Sequence, residues 1–159
     1  MLIGIISDSH DHLPRLEAGL ERLRKEGAEL LIHPGDIIAP FAAKILASWQ
    51  GPLHVVYGNN DGERRGLKSV LPQIVDGPLL IECKGKRISL DHYPPDDEHP
   101  PVDDVDVILF GHTHEVVNEH RNGTLYLNPG ENCGWVRGES TVATLDTDSL
   151  KADIIRLEA

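Results

Sequence analysis

Residues 2–10 read Leu2-Ile3-Gly4-Ile5-Ile6-Ser7-Asp8-Ser9-His10. A short apolar run rich in β-branched residues, cut off by polar ones, predicts a buried strand from Leu2 to Ser7. Asp11 is placed to cap a helix whose first turn holds Pro14. Leu13, Leu16, Leu20 and Leu23 then recur at helical spacing, and Gly27 stops the helix. Leu30-Leu31-Ile32 predicts a second strand, Pro40 to Trp49 a second helix, and Leu53 to Tyr57 a third strand ended by Gly58. Strand, helix, strand, helix and strand with short joints require parallel pairing in a covered sheet.

The second half of the chain changes character. Leu79 to Cys83 and Arg87 to Leu90 flank Lys84-Gly85-Lys86, a hairpin signal. Val105 to Phe110 predicts a buried strand. Val116 to His120 and Thr124 to Leu127 flank Arg121-Asn122-Gly123, where Asn-Gly favours a tight turn. Thr141 to Leu145 and Ala152 to Leu157 predict a closing pair. The layout is α/β first and mostly antiparallel β afterwards, on the α/β to α+β boundary. Two mixed sheets packed together and flanked by helices satisfy both halves within one domain, residues 1–159. Tyr93 to Asp106 carries four prolines, six acidic residues and no Lys or Arg, which predicts a solvated loop.

Composition narrows the function. A length of 159 residues and 40% hydrophobic content suit one soluble core. No run approaches the roughly 18 apolar residues of a membrane span. No basic segment or small-residue cleavage site accompanies the first strand, so a cytoplasmic location is expected. Fifteen Lys and Arg against 26 Asp and Glu give −11. Duplex nucleic acid is therefore not an expected partner, because phosphate neutralisation by cationic side chains supplies most of that affinity. Cys83 and Cys133 make neither a disulfide framework nor a thiolate zinc site.

Histidine is over-supplied, with nine in the chain. Four polar clusters stand out: Asp8-Ser9-His10, Gly35-Asp36, Gly58-Asn59-Asn60-Asp61 and Gly111-His112-Thr113-His114. Each follows a predicted strand, and ligands collect outside the carboxyl ends of strands in open α/β sheets. His92 also follows a strand. Residues i and i+2 of an extended segment point the same way, so Asp8 and His10 can grip one ion. The inventory is Asp8, His10, Asp36, Asn59, His92, His112 and His114: two carboxylates, one amide oxygen and four imidazoles. That is too many for one tetrahedral ion and suits two, with Asp36 shared. Oxygen and imidazole donors without thiolate suit Mn²⁺, Fe²⁺, Co²⁺, Ni²⁺ or Zn²⁺.

These motifs resemble those of the calcineurin-like metallophosphoesterases: Asp-x-His, Gly-Asp, Gly-Asn-His-Asp or Gly-Asn-His-Glu, a lone His, then Gly-His-x-His. All but one element occur here in order, and Asn128-Pro129-Gly130 is similar to a segment of the small YfcE-like phosphodiesterase branch. The resemblance implies a four-layer α-β-β-α sandwich. It implies one metal on Asp8, His10, Asp36 and His114, and a second on Asp36, Asn59, His92 and His112, with manganese favoured. His92 departs from the family in being followed by Tyr93 rather than Gly. The implied reaction is attack of a metal-bridging hydroxide on a small phosphodiester. Two divalent ions against two carboxylates leave a site charge of about +2, which draws an anion despite the acidic chain.

Asn60 stands where the family's leaving-group acid is usual, and an amide cannot donate a proton as an acid does. A slow enzyme favouring good leaving groups is the expectation. Asn60 remains a candidate substrate contact, and His12 a candidate acid with helix-start packing as its alternative. Arg64 and Arg65 read as a solvated face, with a distal phosphate contact as the alternative. Trp135 and Cys133 suit the pocket rim or the core equally. His33 is expected to hydrogen-bond a neighbouring loop. A competing function comes from the retromer subunit of the same branch, a protein-binding scaffold with little catalysis. A homodimer is left open.

Overall fold

β1 (Leu2–Ile5) is buried on both faces, which is why it reads as a continuous apolar run. The computed structural model describes residues 1–158. β1 pairs in parallel with β2 (Leu30–His33), and β2 with β3 (Leu53–Val55). On its other side β1 pairs antiparallel with β9 (Ser140–Asp146), which pairs with β10 (Lys151–Leu157). The first sheet thus runs β10-β9-β1-β2-β3. The second runs β4-β5-β6-β8-β7, built from β4 (Leu79–Cys83), β5 (Lys86–Leu90), β6 (Val107–Leu109), β7 (Val116–Arg121) and β8 (Thr124–Pro129). It is parallel along β5-β6-β8 and antiparallel at both edges.

Both predicted hairpins form. Lys84 and Gly85 (φ 50° and 74°) and Asn122 and Gly123 (φ 51° and 83°) turn the chain in the left-handed region, the geometry of two-residue hairpin loops.

Three helices pack on the first sheet: α1 (Leu13–Glu26), α2 (Pro40–Leu46) and α3 (Arg64–Val70). Leu16, Leu20 and Leu23 of α1 join Leu31, Leu46 and Leu67 in the core beneath them. Each such leucine contributes about 1.5–3 kcal/mol relative to exposure. A second core lies between the sheets, with Ile3, Ile5 and Ile32 facing Ile88, Leu109 and Leu127.

Two local expectations are corrected, and one helix is added. The cap of α1 is His12, not Asp11, and its side chain accepts from the Arg15 N–H. Asp11 has φ 56° and instead accepts from the Ala39 N–H at 2.9 Å, tying the loop to the start of α2. The second helix stops at Leu46 rather than Trp49. α3 gave no apolar period over its seven residues; Glu63 caps it by accepting from the Gly66 N–H.

The outer layer of the second sheet is the acidic segment 93–106, without regular helix. The Val102 N–H of this segment donates to the buried Ser89 Oγ at 3.1 Å. Its carboxylates stay exposed except that of Asp106, which is half-buried and accepts from the Arg87 N–H at 2.8 Å, so the segment is largely solvated. No helix among the described residues is long and apolar enough to cross a membrane.

Candidate metal centre

The loops after β1, β2, β3, β5 and β6 meet at one edge of the paired sheets. Backbone hydrogen bonds stitch them together: Asp8 N–H to Gly35 O, His10 N–H to Asp36 O, and Gly111 N–H to His92 O. The Asp-x-His segment is not extended, contrary to the sequence expectation. Asp8, His10, Asp36, His112 and His114 all lie in the left-handed region, with φ of 51°, 42°, 61°, 68° and 60°. Non-glycine residues seldom adopt that conformation, and such strain concentrates where side chains must be aimed. Two glycines make room for the convergence. A Cβ on Gly58 would collide with Asp36 Oδ1, and one on Gly111 would lie 2.6 Å from Asp8 Oδ2.

All seven residues singled out in the sequence come together. His10 Nε2 lies 3.7 Å from Asp8 Oδ1 and 3.3 Å from Asp36 Oδ2. His114 Nε2 lies 3.5 Å from Asp8 Oδ1. The donor atoms of Asp8, His10, Asp36 and His114 fall within 4.8 Å of one another. On the other side of Asp36, His92 Nε2 is 3.5 Å from Oδ2, 2.8 Å from Asn59 Oδ1 and 3.2 Å from His112 Nδ1. His112 Nδ1 is 3.0 Å from Asn59 Oδ1. Tyr93 therefore does not displace His92 from the cluster.

Two observations fit the donor set to a cation. Asp8 Oδ1 and His10 Nε2 are buried without a hydrogen-bond partner, which a folded chain rarely tolerates without a ligand. The carboxyls are also held as anions. Burial raises the Asp36 carboxyl, but His10, the charge of His92 and the two Asn60 hydrogen bonds outweigh it and hold Asp36 well below the usual range. Burial of Asp8 is likewise outweighed by His10 and Ser7. In the same field, burial of His10 is overcome by Asp36 and Asp8, and its ring is pushed up to about 9.

A supporting layer fixes these groups. His92 Nδ1 lies 2.8 Å from Pro34 O, which places a proton on Nδ1 and turns Nε2 inward. Ser7 Oγ donates to Asp8 Oδ2 at 2.6 Å. Buried His33 accepts from the Gly35 N–H at Nδ1 and faces Ser9 Oγ through Nε2. Sequence reasoning passed over Asp61. Its buried carboxylate accepts from the N–H groups of Asp36, Ile37, Ile38 and Gly58, clamping two site loops together. It also passed over Glu131, whose only signal was its place after Asn128-Pro129-Gly130.

The remaining candidates are elsewhere engaged. Asn60 donates to both oxygens of Asp36. His12 caps α1 and stacks on the exposed ring of Trp135, with centroids 4.6 Å apart. Arg64 pairs with Asp76 and lies over the Tyr57 ring, on a solvated face. Cys133 is buried, and chiefly for that reason its thiol is pushed up to about 12.

Comparison with known proteins agrees with this geometry. The profile of the calcineurin-like phosphoesterase superfamily domain matches residues 1–150. The chain is 36% identical over 170 residues to phosphodiesterase MJ0936 of Methanocaldococcus jannaschii, covering 99% of this chain and all of that one. It is 27% identical to phosphodiesterase YfcE of Escherichia coli K12, covering 82% and 78%. A solved archaeal phosphodiesterase superposes with a TM-score of 0.85 at 33% identity, covering 99% of this chain and all of the other. The chain therefore belongs to the calcineurin-like phosphoesterase superfamily, and it is a metal-dependent phosphoesterase.

Proposed function

We propose that this chain is a dinuclear metal-dependent phosphodiesterase acting on small phosphodiesters, with all 159 residues as one catalytic domain. One observation carries the proposal: Asp36 Oδ2 stands between two donor clusters, 3.3 Å from His10 Nε2 and 3.5 Å from His92 Nε2. Asp8, His10 and His114 would hold one ion with Asp36, and Asn59, His92 and His112 the other. When bound, the pair would supply Lewis acidity and an acidified bridging water as nucleophile. Manganese suits the oxygen and imidazole donors, with Fe²⁺, Co²⁺, Ni²⁺ and Zn²⁺ as competitors.

The protein's own groups then do three things. Ser7, Asp61 and His33 hold the carboxylates and loops in place. Asp8 and Asp36, as anions, would hold two divalent ions whose excess charge would favour a phosphodiester anion over the otherwise acidic surface. Asn60 orients Asp36 without offering an acidic proton, so departure of a basic leaving group is unassisted there. His12 Nδ1 faces the Arg15 N–H, so a proton delivered by that ring would come from Nε2. Aryl and nucleotide esters are the favoured substrates. Cytoplasmic location belongs to the same proposal.

The scaffold alternative has less support. Solved Vps29 from Entamoeba histolytica with Zn²⁺ superposes with a TM-score of 0.69, but at 21% identity that likeness concerns the fold. A scaffold has no need of unpartnered Asp8 and His10 atoms aimed at one point. The test is to strip the protein with a chelator, restore single metals, and assay an aryl phosphodiester beside the monoester. Turnover of the diester restored by metal is expected. No turnover with any metal favours the scaffold, and monoester preference overturns the diesterase assignment.

A further inference from the structure

Outside the seven candidate ligands, a second buried carboxylate besides Asp61 is tied to the site. Glu131 follows β8 and is 1% exposed. Its Oε2 lies 2.5 Å from His114 Nδ1. The same carboxylate accepts from the backbone N–H groups of Val136 and Arg137 and from the Cys133 thiol. With four donors around it, Glu131 stays ionised and immobile.

The consequence falls on His114. An imidazole facing a carboxylate through Nδ1 keeps a proton there, so in the neutral ring that binds a metal the lone pair sits on Nε2. That nitrogen is the one directed at Asp8 Oδ1, 3.5 Å away, in the first donor cluster. We infer that Glu131 is a positioning residue: it sets the tautomer and ring angle of His114 for metal binding, and it fastens the 131–138 loop to that ligand. A carboxylate behind a ligating histidine raises the basicity of the ring, and its loss typically costs 10–100-fold in metal affinity. Glu131, His114 and Cys133 also form a compact donor group, but Glu131 is spent on backbone donors and Cys133 is a buried thiol that donates to it. A positioning role accounts for all of these contacts, whereas a separate ion there would break them.

The inference rests on the metal-site reading, and the experiment separates the two. Co²⁺ binding is titrated spectroscopically on metal-free wild type, Glu131→Gln and Arg137→Ala. Gln keeps the shape but offers an NH₂ group to a ring of donors, so it can satisfy His114 or the backbone pair and not both. Arg137→Ala removes the side-chain tie from this loop to Glu115, the residue after His114, and leaves the His114–Glu131 pair itself intact. Expected is a 10–100-fold weaker first Co²⁺ for Glu131→Gln, with Arg137→Ala close to wild type. Equal affinity in Glu131→Gln, or equal losses in both variants, overturns the positioning role while leaving the metal site standing. No Co²⁺ binding by wild type overturns both. Should Glu131→Gln fail to fold, nitrogen NMR of Zn²⁺-loaded wild type decides: a His114 proton on Nδ1 supports the inference, and one on Nε2 overturns it.

Discussion

Asn60 grips Asp36 at both oxygens, its backbone N–H reaching Oδ1 at 2.8 Å and its side-chain amide reaching Oδ2 at 2.9 Å. The residue at the position of the family's leaving-group acid is therefore a carboxylate clamp. Asn60→His would exchange the side-chain clamp for a proton donor. Turnover of poor leaving groups should rise by about 10²-fold or more, with little change for aryl esters. The measurement is kcat across diesters of increasing leaving-group pKa. A dependence as steep as that of wild type would contradict the missing-acid account.

Metal binding should release a proton from His10. In the metal-free protein this ring titrates at about 9, because Asp36 and Asp8 outweigh its burial. The proton and the cation compete for Nε2, so apparent affinity should rise up to tenfold per pH unit and level off above about pH 9. Calorimetry in buffers of different ionisation enthalpy counts the released proton. The sign for stability is opposite: the raised value stabilises the metal-free fold below about pH 6.5, and that contribution fades as pH rises through 9.

Asp61→Ala should destabilise the fold as well as the site. It strips acceptors from four backbone N–H groups, three of them in the Asp36 loop. The cost is roughly 3–5 kcal/mol, or about 10 °C in Tm for a chain of this size. Thermal unfolding of the metal-free variant checks this, and a loss under about 1 kcal/mol would refute the clamp.

His33 gives the metal-free protein a second pH dependence. Burial, only partly opposed by Asp8 and Asp36, pushes its ring down to about 4 from an ordinary 6.5. Between those values the unfolded chain binds the extra proton. The contribution is thus complete above about pH 6.5 and is lost as pH falls towards 4. It amounts to something on the order of 3 kcal/mol. His33→Gln should flatten the difference in denaturant stability between pH 4 and 6.5; an unchanged slope would assign the acid sensitivity elsewhere.

Much of this was legible in the residues. Apolar runs such as Leu2 to Ser7 and Leu30 to Ile32 marked strands because burial on both faces leaves no room for polar alternation. Asn122-Gly123 announced its hairpin through the positive φ both residues adopt. Asp8, Asp36 and His114 were found because ligand chemistry restricts residue type. What escaped were features set by distance through space. Asp61 clamps backbone 23 to 25 residues away, and Glu131 meets His114 across 17. The left-handed turns at Asp8 and His10 were missed because no glycine marks them. The seven residues of α3 offered too few turns for an apolar period.

Counting ions tests the central claim most directly. Metal-free protein loaded with Mn²⁺ and freed of excess should hold two ions per chain. Its electron paramagnetic resonance spectrum should carry the exchange coupling of ions roughly 3.5–4 Å apart. A single uncoupled Mn²⁺ per chain, or none, would contradict an Asp36 shared between two sites.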